Sequence, residues 1–195
     1  MVATVTVEEA NGSSASFTEK SVGSPARFCT TDDPDPGETY PCTIPPPDLT
    51  YYSYWKQLCL NLQASFYLIN NVRVYTDGSL AWTLGTGGRV VIGKRDVSTY
   101  GHGCPQANYQ QAAGIGSRTG YAIKDAANGH AYYKGQITAL ASLFSFTSVA
   151  PCNVDLTDHT SAERTKFIVI QAEIQDDATQ GDKSDETVTF MYDEV

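Results

Sequence analysis

The acidic segment 32–38 has the residue types of a calcium-binding loop. It reads Asp-Asp-Pro-Asp-Pro-Gly-Glu, so Asp33, Asp35 and Glu38 could bring several carboxylate oxygens around one turn, as a hard cation requires. Counting from Asp33, however, places Ile44 where an EF-hand has its bidentate glutamate, and two prolines restrict the loop. Asp33, Asp35 and Glu38 are therefore candidates for weak Ca²⁺ binding, with a solvated acidic turn as the preferred interpretation.

The sequence contains no recognisable catalytic motif. His102 and Cys104 are two residues apart, but the second ligand pair of a zinc finger or ribbon is missing. The segment 116–120 shares only its composition with a nucleophile elbow. We therefore predict a protein that is not an enzyme and that needs no cofactor, apart from the candidate calcium.

The five cysteines are odd in number, so at least one is unpaired within the chain. Cys29 and Cys42 flank a loop rich in proline and aspartate, and a bridge could close this loop. We predict a disulfide between Cys29 and Cys42. Cys59 lies inside a strand-like segment, and we expect it to be free.

Aromatic residues cluster between positions 51 and 55. Adjacent side chains of a strand face opposite sides, so Tyr51, Tyr52, Tyr54 and Trp55 cannot all lie in one core. Each ring joins apolar area to a polar edge, which suits a protein interface or a sugar site. We expect these four residues to contribute to an interface.

Charge and hydropathy argue against two classes of partner. The chain has 13 basic and 22 acidic residues and a net charge of −9, which repels the phosphates of nucleic acid. No stretch approaches the roughly 18 to 20 apolar residues that span a bilayer. We therefore predict neither nucleic-acid binding nor membrane insertion.

Alternation of apolar and polar residues predicts a chain built of short strands. The predicted strands are 2–7, 15–18, 51–62, 66–69, 72–76, 89–94, 131–133, 166–174 and 187–192. We predict one hairpin from 72–76 to 80–82 through Asp77-Gly78, and another from 166–174 to 187–192 through an acidic loop. Residues 137–146 fit either a strand or a helical stripe, and we prefer the strand.

These elements predict one all-β domain over residues 1–195, folded as a β-sandwich of the jelly-roll or Ig-like type. Residues 21–48 hold seven of the nine prolines and predict a long surface loop or arm. Residues 1–13 include an alternating strand with Val2, Val5 and Val7. This strand could pair with the open sheet edge of a neighbouring subunit.

Four segments, 51–56, 70–78, 84–88 and 186–194, resemble structural proteins of tailed-phage-like particles. The resemblance extends over roughly the last three-quarters of the chain. It implies a β-sandwich capsid decoration, neck or tail component, with no catalytic residues to carry over. We therefore expect a virion subunit that contacts copies of itself and neighbouring subunits. The alternatives are a secreted filament or surface-layer subunit, placed outside the cell or at its surface, and a carbohydrate-binding module.

Overall fold

The computed structural model describes residues 3–63, 65–96, 98–116, 118–135 and 140–195. The strands in this part of the chain are β1 (Thr4–Asn11), β2 (Ser16–Lys20), β3 (Thr50–Tyr52), β4 (Lys56–Gln63), β5 (Ile69–Tyr75), β6 (Arg89–Ile92), β7 (Gly114–Ile115), β8 (Thr119–Gly120), β9 (Ala141–Ser142), β10 (Cys152–Asp155), β11 (Glu163–Arg164), β12 (Ile168–Gln175) and β13 (Thr189–Glu194). Two 3-10 turns, Gln106–Asn108 and Leu143–Ser145, are the only helical segments among the described residues. None of the helical segments described could span a bilayer.

The strands form two facing antiparallel sheets and a small separate hairpin of β7 and β8. The larger sheet has the order β2-β1-β4-β12-β6-β9, with β11 beside β4 and β3 beside β12. The smaller sheet has the order β10-β5-β13. Leu60 and Ile170 of the larger sheet share one buried cluster with Val72 and Val74 of the smaller sheet. The chain is thus an all-β sandwich, as the sequence predicts.

The larger sheet is buried on both faces. Its outer face packs a second core, which joins Cys59 and Val169 of the sheet to Ile123 and Tyr133 of the segment after β6. The outer-face positions nevertheless include polar residues, because the covering segment supplies hydrogen-bond partners for them. Gln171, for example, donates to the carbonyl of Tyr121 at 2.7 Å and accepts from the Ile123 N–H at 3.0 Å.

A β-bulge divides the predicted strand 51–62 into β3 and β4. Residues 52 and 56 pair with residues 173 and 170 of β12, so one extra residue is accommodated between them. Ser53 fills the bulge: its N–H donates to the Ala172 carbonyl and its Oγ accepts from the Ala172 N–H, both at 3.0 Å. The bulge changes the face on which the following residues lie.

The predicted hairpin between 166–174 and 187–192 is wrong, although the predicted faces are correct. β12 belongs to the larger sheet, whereas β13 pairs with β5 in the smaller sheet. The alternating residues Ile168, Ile170, Ala172 and Ile174 all lie in the inter-sheet core, and Val188, Phe190 and Tyr192 pack against it. Alternation determines which side of a strand is buried, but it does not determine which strand lies next to it.

Three shorter strand predictions are also wrong, and one is divided. Of residues 66–69, only Ile69 lies in a strand, where it begins β5. Residues 80–82 form no strand; instead the Ala81 N–H donates to Glu186 Oε1 at 2.7 Å. Residues 131–133 lie in a turn. Of the stretch 137–146, residues 137–139 fall outside the described residues, 141–142 form β9, and 143–145 form a 3-10 turn.

Candidate functional site

The aromatic segment 51–55 is not a single exposed surface. Trp55 is only 1% exposed, its indole N–H donates to the Gln110 carbonyl at 3.1 Å, and its ring lies edge-on to His130 at 5.5 Å. The prediction that Trp55 belongs to an interface is therefore wrong, because the side chain is committed to the second core. Tyr51, Tyr52 and Tyr54 are half-buried and keep part of their surface accessible.

The N-terminal strand lies inside the larger sheet. β1 pairs with β2 on one side and with β4 on the other. Val5 and Val7 pack against the inter-sheet core, and Val2 lies outside the described residues. Exchange of this strand with a neighbour would therefore require both of these ladders to break, so Val5 and Val7 are core contacts rather than a free edge.

The structure does not bring the calcium candidates together. No group of three or more His, Cys, Asp or Glu side chains able to hold a metal ion is present in the described part of the chain. Asp33 Oδ1 instead accepts the Asp35 N–H at 2.9 Å, which closes a local turn, and Glu38 is exposed to solvent. The weak Ca²⁺ candidate of Asp33, Asp35 and Glu38 is therefore not assembled among the described residues, and the segment forms an acidic turn, which was the preferred interpretation.

All five cysteines are free thiols, so the predicted bridge between Cys29 and Cys42 is not formed in this structure. The Cys29 thiol is buried and donates to the Thr31 carbonyl at 3.2 Å instead. Burial, together with the nearby charge of Cys29, raises the pKa of Cys42 to about 12. Cys59 is free and fully buried in β4, as the sequence predicts.

A buried charge cluster connects the proline-rich segment to the larger sheet. We call Glu9, Lys20 and Lys56 the Glu9 cluster. The fully buried Glu9 carboxylate lies 2.8 Å from Lys56 Nζ and 3.6 Å from Lys20 Nζ. The two ammonium groups also donate to main-chain carbonyls of the segment, Lys56 to Asp33 and Lys20 to Pro34. The cluster thus fixes residues 33–34 over one end of the sheet.

The Glu9 cluster was not predicted from the sequence, although the sequence contains one signal for it. Val5, Val7 and Glu9 alternate along β1, so Glu9 had to share the buried face with the two valines. A carboxylate at that position requires a cation, because an unpaired buried charge is strongly unfavourable. Nothing in the sequence indicated that Lys20 and Lys56 are its partners.

An open cleft lies beside the Glu9 cluster, between the segments 31–32 and 111–114. We call it the Tyr54 cleft. Its volume is about 480 Å³, and it is lined by Thr31, Asp32, Tyr54, Gln111, Ala112, Ala113 and Gly114. The bulge between β3 and β4 contributes directly to it, since the Tyr54 N–H donates to the Cys29 carbonyl at 2.8 Å and so holds the bulge next to the segment that carries Thr31 and Asp32.

Asp32 and Tyr54 have fixed positions in this cleft. Asp32 Oδ1 accepts the Asn11 side-chain amide at 3.1 Å, and Asp32 Oδ2 accepts the Gly12 N–H at 2.7 Å. A Cβ atom at Gly114 would lie 2.4 Å from Tyr54 Cε1, so only glycine allows this close packing. Burial, and after it the Asp32 charge, raises the pKa of Tyr54, so its hydroxyl remains a proton donor at neutral pH.

The smaller sheet ends in an open edge. At one end, β10 is covered, because His102 and Gly103 donate their N–H groups to the carbonyls of Asn153 and Val154 at 2.8 and 2.9 Å. At the other end, β13 pairs only with β5, and no backbone hydrogen bond reaches its outer side from the described residues. We call this outer side of Thr189–Glu194 the β13 edge.

No family model, curated protein or solved structure matches this chain. The role of the chain is therefore inferred from its own surfaces, of which the β13 edge and the Tyr54 cleft have the clearest chemistry.

Proposed function

We propose that the chain is a structural subunit of a virion or virion-like assembly that contacts copies of itself and neighbouring subunits. The observation that carries this proposal is the β13 edge. An open edge is a template for pairing with another strand, and monomeric proteins usually block such edges with lysine, proline or bulges. The residues from Thr189 to Tyr192 include no charged residue and no proline. The ladder with β5 is irregular between Met191 and Asp193, and Asp193 and Glu194 are charged, so the part of the edge without such protection is Thr189–Met191.

The backbone of this edge can accept a further strand. Leu68 and Val195 exchange both of their backbone hydrogen bonds, so alternation along β13 directs the N–H groups of Phe190 and Tyr192 away from β5. At about 3.4 Å per residue, the six residues offer an edge of roughly 20 Å. An antiparallel strand from a second copy would satisfy these groups and would generate a two-fold symmetric contact.

The outer face of the smaller sheet would add area to such a contact. Met191 lies on this face, since its neighbours Phe190 and Tyr192 pack inward. On the same face, Asp193 Oδ1 lies 2.9 Å from a guanidinium nitrogen of Arg73, so both charges are paired. Specific interfaces usually bury on the order of 1,000 Å² or more, so both the edge and the face are needed. The net charge of −9 opposes unspecific association.

Sedimentation velocity over a range of protein concentrations tests the proposal, with electron microscopy of the same material. We expect concentration-dependent oligomers or ordered assemblies. Met191→Lys should shift the distribution toward monomer, because it places an ammonium group at the edge. Asn108→Lys is the matched control: it adds the same charge at an exposed position of the segment that covers the outer face of the larger sheet, away from the smaller sheet.

A monomer at every concentration would refute assembly through self-contact. Equal effects of Met191→Lys and Asn108→Lys would show that charge, rather than the β13 edge, controls association. Long unbranched polymers in the micrographs would favour the alternative of a filament or surface-layer subunit, which could use the same edge.

A further inference from the structure

We propose that the Tyr54 cleft is a binding site for a neutral saccharide, a role separate from subunit contact at the β13 edge. The cleft has a volume of about 480 Å³ and is open to solvent over much of its area, so a saccharide bound there would be held on one side and exposed on the other. The cleft is built from three parts of the chain, and the bulge at Ser53 and the glycine at 114 hold these parts in contact.

The polar groups of the cleft are suited to hydroxyl groups. Each carboxylate oxygen of Asp32 accepts one hydrogen bond from within the protein and retains capacity for another. A sugar hydroxyl can donate to this capacity without displacing Asn11 or Gly12. The Gln111 side chain is exposed at the rim, and its amide can both donate and accept. The Asp32 carboxylate is thus a fixed hydrogen-bond acceptor, and the Gln111 amide can act as donor or acceptor. Two neighbouring hydroxyl groups of a sugar could bind one to each.

Tyr54 supplies the apolar component of the site. A pyranose ring presents C–H groups on one face, and an aromatic side chain offers a complementary surface with a polar edge. Tyr54 is half-buried, with Gly114 packed against one part of its ring, so the ring is held in place while part of it remains open to the cleft. Its hydroxyl can donate a hydrogen bond to a ring or glycosidic oxygen.

The composition of the cleft disfavours other ligand classes. No lysine or arginine is among its lining residues, so nothing there would neutralise a phosphate or carboxylate. The acidic net charge of the chain acts in the same direction. The open shape and the carboxylate do not suit an apolar ligand, which would leave Asp32 desolvated without a partner. The remaining alternative ligand is a cationic side chain of another protein, which could pair with the Asp32 carboxylate.

An array of neutral oligosaccharides, followed by ligand-observed NMR with each hit, tests the proposal. We expect at least one saccharide to bind, and we expect Tyr54→Ala and Gln111→Ala each to weaken that binding at least tenfold. The matched controls are Tyr67→Ala and Gln180→Ala, which remove an exposed tyrosine and an exposed glutamine outside the cleft. Both controls should bind as the wild type does.

Loss of binding in Gln111→Ala can be distinguished from a folding defect, because Gln111 is exposed and its replacement should leave the circular dichroism spectrum unchanged. The same NMR measurement is made with N-acetyl-lysine methylamide. Binding of this amine with no saccharide hit would overturn the assignment of ligand class. An array without hits, or hits that survive both cleft substitutions, would overturn the site. Sedimentation of Gln111→Ala should match that of the wild type, so failure here is distinguishable from failure of assembly.

Discussion

The Glu9 carboxylate should be one of the most costly side chains to neutralise. In Glu9→Gln the shape is retained, but the ammonium groups of Lys56 and Lys20, whose side chains are 1% and 5% exposed, lose their counter-ion. Removing one member of a buried ion pair typically costs about 3 to 5 kcal/mol. The glutamine oxygen can still accept from Lys56, and both lysines retain carbonyl partners. We therefore expect a loss near the lower end of that range, about 3 kcal/mol.

Urea unfolding followed by circular dichroism measures this loss as a change in the free energy of unfolding. The matched control is Arg73→Gln, which breaks the pair with Asp193, whose side chains are 25% and 51% exposed. Exposed pairs contribute about 0 to 1 kcal/mol, so this variant should remain close to wild type. Hydrogen exchange should also show faster exchange in residues 29–37 of Glu9→Gln, because the Glu9 cluster fixes this segment to the sheet.

A cost below about 1 kcal/mol for Glu9→Gln would refute the reasoning, since it would mean that the two lysines do not depend on this carboxylate for compensation. A large fall in the free energy of unfolding without faster hydrogen exchange in residues 29–37 would contradict one part of the reasoning. The cluster would then stabilise the sandwich without holding the proline-rich segment.

Four further outcomes are expected. Trp55→Ala should lower the free energy of unfolding by about 3 to 5 kcal/mol, whereas Tyr67→Ala, at an 80% exposed ring, should change it by less than about 0.5 kcal/mol in the same urea assay. Burial lowers the pKa of His130 from 6.5 to about 4, so the free energy of unfolding should fall by about 3 kcal/mol as the pH falls from 6.5 towards 4 and the buried ring must take up a proton. In His130→Gln, the free energy of unfolding should depend less on pH over this range. The hydrogen bond with Asp155 raises the pKa of His159, while burial opposes this rise and Glu163 adds to it. Charged His159 therefore contributes fully to the free energy of unfolding below pH 6.5, and this contribution is lost as the pH rises through the folded pKa. His159→Gln should lower the free energy of unfolding more in acid than in alkali. Burial raises the pKa of four of the five thiols to about 12, so Ellman's reagent should react slowly with the folded protein. In urea the reagent should titrate all five thiols. A count of three in urea would show that one disulfide is present.

The sequence predicts the faces of the main strands, but not their neighbours. The alternation of isoleucines from Ile168 to Ile174 follows from the two-residue period of a strand, and these residues lie in the core as expected. The partner of β13 is β5, more than a hundred residues earlier, and no local pattern encodes a pairing at that distance. The predicted hairpin followed the usual preference for sequential neighbours, which this fold does not obey at that point.

The candidate site was only partly accessible to sequence reasoning, because one bulge changes the faces. Tyr54 and Trp55 were expected to face opposite sides of a strand, but both pack on the second core, where Trp55 is buried and Tyr54 is half-buried. The extra residue at Ser53 depends on hydrogen bonds to Ala172, which are tertiary contacts. Likewise, Asp32 becomes part of a cleft only through Asn11 and Gly12, which belong to a different strand and turn.

The order in which the sheets are completed limits how this chain can fold during synthesis. β12 occupies the centre of the larger sheet, and β13 closes the smaller one, so both sheets remain incomplete until residues 168–194 have left the ribosome. Until then β4 and β5 each lack a neighbouring strand and expose apolar side chains. Such intermediates are slow to fold and prone to association, because long-range pairing must close large loops first. The translating ribosome therefore carries an unfinished sandwich, whose apolar strand faces stay uncovered until β12 and β13 are made.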